Sequence, residues 1–79
     1  GKVDPEKARL ALNVFSIAKD IKNQSIAFYN KAKENTKDEN ARKLYDELEY
    51  WENFQLEQVT GQYEIYKDEW WSDQMFSKM

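Results

Sequence analysis

The sequence predicts an all-α protein: a long antiparallel helical hairpin that dimerises into a four-helix bundle. Three observations carry that prediction. Apolar residues recur at alternating spacings of three and four along two long stretches, and strand-type alternation is absent. Chain breakers are scarce, two glycines and one proline, and a single short polar connection divides the two stretches. Three tryptophans, five tyrosines and four phenylalanines carry more apolar surface than one small hairpin can hide, so a second copy is needed to cover it.

The first helix is expected over residues 5–34. Asp4 is placed to cap its free amides, and Pro5 suits the first helical position. Val14, Ala18, Ile21, Ser25, Phe28 and Ala32 form one seam, flanked by Phe15, Lys22 and Tyr29 on one side and by Leu10 and Ile17 on the other. Residues 35–37 make a polar connection, with Thr36 or Asp38 as the next cap. So short a link forces the helices side by side and antiparallel. The second helix is expected over 39–67, with Ala41, Tyr45, Leu48, Glu52, Gln55, Val59, Gln62 and Tyr66 on its seam and Leu44, Trp51 and Ile65 beside it. Gly61, inside this helix, marks a bend or a close helix contact. Beyond it, the run from Asp68 to Phe76 reads as a short aromatic segment folded over the end of the bundle. Trp51, Trp70, Trp71 and Phe76 are therefore expected at the dimer interface or as its cap. Residues 1–79 form a single half-bundle domain.

Composition excludes several classes of function. Without cysteine there is neither a disulfide nor a thiolate metal site. Without histidine, the commonest metal ligand and the usual neutral-pH base are missing. The net charge of −3 is mild and its signs are interspersed, so no basic stripe marks a nucleic-acid partner. No signal-like or long apolar run points to a membrane, and a cytoplasmic protein is expected. No nucleophile–base pair or Gly-rich phosphate loop is present, so no catalytic or cofactor-binding residue is assigned.

Glu52 and Gln55 break the apolar pattern of the second seam near its middle. An inward-facing carboxylate needs a partner, a proton or a metal. Antiparallel pairing sets Lys22 at the same height, which makes a buried Lys22–Glu52–Gln55 network the expected arrangement.

These stretches resemble a known family. Ile21-Lys22-Asn23-Gln24-Ser25-Ile26-Ala27-Phe28-Tyr29, followed by Lys31-Ala32, is similar to the first helix of rubrerythrin-type ferritin-like proteins, which reads roughly E-x-x-A-x-x-F-Y. Ala41 to Leu48, continuing to Glu52-Asn53-Phe54-Gln55, is similar to the second helix, where the family carries E-x-x-H. Gln62-Tyr63-Glu64 and Glu69-Trp70-Trp71 also resemble segments that follow in short members. The resemblance implies a di-iron site built from two hairpins, each giving one Glu from its first helix and a Glu and a His from its second. By position those ligands fall on Lys22, Glu52 and Gln55, so Glu52 is the one ligand retained. An ammonium repels a cation and an amide is a weak ligand. The expected function is thus a non-catalytic, homodimeric structural or interaction module without a cofactor. The alternative is an iron-dependent oxidoreductase or ferroxidase in which Glu52 and carboxylates such as Glu49 assemble an unorthodox site. A third possibility is that another subunit or segment completes a larger bundle.

Overall fold

A computed structural model describes residues 4–77, with side chains for all of these except 73 and 75–77. Two helices, α1 (Pro5–Asn35) and α2 (Glu39–Ser77), pack as an antiparallel hairpin. Among the described residues there is no strand. Asp4 caps α1 as its sequence predicts: its Oδ1 accepts from the Glu6 amide at 3.1 Å, and Pro5 follows at the first helical position. At the turn, Thr36 Oγ1 accepts from the Asp38 amide at 3.2 Å, which tightens the chain reversal. Asp38 then caps α2, accepting from the amides of Asn40 at 2.9 Å and Ala41 at 3.3 Å.

Two expectations need correction. The segment after residue 67 does not fold back: α2 runs on to Ser77 for 39 residues against 31 in α1. Nothing from Gln62 to Ser77 is a proline or glycine, and a helix continues where no residue breaks it. Gly61 marks neither a bend in the helix assignment nor a close contact, since a Cβ built there meets nothing within 4 Å.

The line of contact also lies one stripe away from the expected seam on α1. Phe15, Lys22 and Tyr29 face α2, together with the half-buried Leu12, Ala18, Ile26 and Ala32. Val14, Ile21 and Phe28 of the expected seam are more than half exposed. On α2, Tyr45, Glu52, Leu56, Val59, Tyr63 and Tyr66 face α1, whereas Gln55 and Gln62 are exposed. Aromatic contacts punctuate this line, with Tyr29 stacked on Tyr45 at 6.4 Å between ring centroids and Phe15 against Tyr66 at 5.7 Å.

A hairpin of this shape encloses almost nothing. Among the described residues only Ala8 is fully buried. The radius of gyration is 17.6 Å, against about 12 Å for a compact domain of this length. The accessible surface is 6272 Å², where a compact monomer of this mass exposes about 5,000 Å².

Candidate functional site: a polar layer beside an open apolar face

The three residues expected to form the polar network do meet. Lys22 Nζ donates to Gln55 Oε1 and lies 3.2 Å from Glu52 Oε2. Their burial is partial rather than complete: the Lys22 and Glu52 side chains are 25% and 19% exposed, and Gln55 is exposed. Glu52 Oε2 is nonetheless closed off from solvent and accepts no hydrogen bond. The Lys22 ammonium, at ion-pair distance, is what offsets its charge. Lysine is suited to this position because its long stem lies along α2 while its head spans two acceptors one helical turn apart.

The two long sides of the hairpin differ. On the first, Lys33 Nζ donates to Asp46 Oδ1 at 2.8 Å and to Glu49 Oε2 at 3.5 Å. The hydrogen bond that Lys33 donates to Asp46 raises the Lys33 pKa above its ordinary value, with help from the neighbouring negative charges and against some desolvation. On the same side Lys19 Nζ sits 4.5 Å from the centre of the Tyr63 ring, a cation–π contact. These contacts fix the residue 19/33 stripe of α1 and the 49/63 stripe of α2 on one edge.

Helical geometry therefore places the stripes that precede the contact line on the opposite edge. There lie Leu10, Val14, Ile17, Ile21 and Phe28 of α1, with Leu44, Trp51 and Ile65 of α2, all more than half exposed. Single exposed apolar residues are ordinary, but eight on one edge of two helices are not. Gln55, Gln58 and Gln62, all exposed, interrupt this face near its middle on α2, and Gln24 and Lys31 continue the Leu10–Ile17 stripe of α1 as exposed polar residues. Of the residues expected at an interface or cap, Trp51 is on the face. Trp70 is half-buried on the opposite edge, and Trp71 points outward at 55% exposure with its ring edge-on to Trp70. The expectation for Phe76 concerns a side chain outside the described residues. The aromatic-rich sequence signalled that such a face exists; its position was hidden by the one-stripe error on α1.

Among the described residues no three His, Cys, Asp or Glu side chains converge as metal ligation requires. Glu52 is held by a lysine ammonium, and Glu49, the other carboxylate considered, is 3.5 Å from Lys33. No helix among the described residues is long and apolar enough to cross a membrane. No family model, curated protein or solved structure matches the chain.

Proposed function

We propose that this protein is a non-catalytic assembly module: a half-bundle that pairs with a second copy through its apolar face into a ferritin-like four-helix bundle. The observation that carries this reading is the set of exposed apolar side chains on one edge of both helices, Leu10, Val14, Ile17, Ile21 and Phe28 with Leu44, Trp51 and Ile65, beside a polar layer already neutralised by Lys22. The hairpin measures 61 × 17 × 15 Å, so one long side offers on the order of 1,000 Å², against roughly 800 Å² per partner in a stable interface. The likeness to rubrerythrin-type helices supports the same pairing, with Lys22 and Gln55 standing where that resemblance puts two metal ligands. An ammonium supplies in place what a cation would supply, so the Glu52 carboxylates need no iron.

Sedimentation across a wide range of protein concentration, with metal content measured on protein purified without chelators, tests this reading. A metal-free dimer is the expected result. A monomer at all concentrations would remove the assembly claim. Stoichiometric, tightly held iron or manganese would instead favour the alternative, a di-metal oxidoreductase.

A further inference from the structure

We infer that the outward face of α2 carries a second binding surface: an aromatic groove beside the Glu57 carboxylate that takes an arginine side chain from a basic segment of another protein. Tyr50, Asn53, Phe54 and Glu57 line a groove of about 200 Å³. Their spacings of three and four make them one contiguous patch on a helix. All four are exposed, and helical geometry turns them away from the Glu52, Leu56 and Val59 line that meets α1. Trp51 separates them from the open apolar edge, so the groove is distinct from the self-pairing face. The rings are also held in place. Trp51 stands edge-on to Tyr50 at 5.7 Å and to Phe54 at 6.0 Å, with interplanar angles of 80° and 81°. Tyr50 is 65% exposed and Phe54 44%, which leaves ring surface for a flat group to lie on.

The polar lining sets the charge of the occupant. Asn53 donates its amide nitrogen to the Glu49 carbonyl at 3.0 Å, so its side-chain oxygen is the atom left for a ligand. Glu57 makes no ion pair or hydrogen bond among the described residues. Acceptors beside ring faces select a cation. The chain supplies none here. From residue 44 to residue 66, α2 has six acidic residues and neither lysine nor arginine. Lys33 takes Asp46 and Glu49, Lys22 takes Glu52, and Lys67 lies 3.7 Å from Glu64. Glu47 and Glu57 are the two that no ion pair reaches among the described residues. They end the series Glu47, Tyr50, Phe54, Glu57, roughly 15 Å apart at the helical rise. On the closed edge, by contrast, Lys19 of α1 already covers the Tyr63 ring at 4.5 Å. The outer rings await the same kind of contact from outside. Arginine suits them better than lysine, because a planar guanidinium stacks on a ring while its N–H fork meets a carboxylate, and an ammonium holds its water more strongly. Two unpaired carboxylates with rings between them fit a segment bearing two arginines.

The test is an NMR titration of the full chain with a capped peptide in which three serines separate two arginines, about 13 Å apart when extended. Backbone and ring shifts should be confined to residues 47–57. Glu57→Gln and Phe54→Ala should each weaken binding at least about tenfold, the first by removing the carboxylate and the second by removing a ring. A peptide with citrulline in place of arginine keeps the shape without the charge and should not bind. A lysine peptide should bind several-fold more weakly than the arginine one. Both substitutions fall at exposed positions, and helicity measured on each variant shows whether it still folds; Glu57→Gln, a polar exchange, carries the test if Phe54→Ala folds poorly. Absence of binding would overturn the proposal. So would equal affinity for the lysine peptide, unchanged affinity in the folded variants, or shifts spread over the whole of acidic α2, since each would reduce the groove to general charge attraction.

Discussion

The two long edges of the hairpin are made from the same heptads, yet one is finished and the other is not. Along the first, Lys33 bridges Asp46 and Glu49, and Lys19 covers Tyr63. Long charged stems there shield the aromatic seam and deliver their heads to water. Along the second, isoleucine, valine, leucine, phenylalanine and tryptophan stand in the open. The difference teaches that a single hairpin seam is sealed by lysine on one flank only. The other flank stays open in the hairpin, with Lys22, Glu52 and Gln55 marking the boundary between the closed seam and the open face.

The contrast is broken most severely at Ile21. Ile21→Asp places a carboxylate at the centre of the open edge, at a residue more than half exposed in the hairpin. Sedimentation should show self-association weakened by at least about a hundredfold, since burial of an unpaired charge is among the costliest changes at an interface. An unchanged association constant would mean that the open edge is not where the chain pairs.

Lys22→Ala acts on the boundary. It removes the charge that faces the shielded Glu52 oxygen and leaves Gln55 without its donor. Thermal or urea unfolding should register a loss of about 1–2 kcal/mol, below that of a fully buried pair because both side chains retain contact with water. No loss of stability and no change of oligomeric state would show that the polar layer has no part in either.

Gly61→Ala probes the outer limit of the open edge. Its new methyl enters empty space in the hairpin, and alanine favours the helix by roughly 0.5–1 kcal/mol. A small rise in unfolding midpoint with unaltered association is the expected outcome. Weakened association would place the second copy close against that part of α2.

Much of the hairpin was legible because its signals are local. Asp4-Pro5, Thr36 and Asp38 are capping chemistry that acts within three residues, and the helix start at Glu39 follows from it. The meeting of Lys22 with Glu52 and Gln55 was legible too, since a short turn fixes which heights face one another. What the pattern could not resolve was which part of a broad apolar arc the hairpin covers and which it leaves exposed. Val14, Ile21 and Phe28 are more apolar than Phe15, Lys22 and Tyr29, so hydrophobicity alone ranks the open stripe above the closed one. The end of α2 departs from expectation for a related reason: paired tryptophans signal burial, but Trp70 is half-buried from within the helix and Trp71 stays exposed.

The brief connection at residues 36–38 has a consequence for the order in which the molecule assembles. Tyr29 and Tyr45 enclose a short loop, whereas Phe15 and Tyr66 enclose one several times longer. Closing the short loop costs less chain entropy, and each contact formed shortens the loop that the next must close. The hairpin is thus a zipper that fastens from its turn. Its far end, where Ala8 holds the only buried position among the described residues, is the last part to close and the first to come undone.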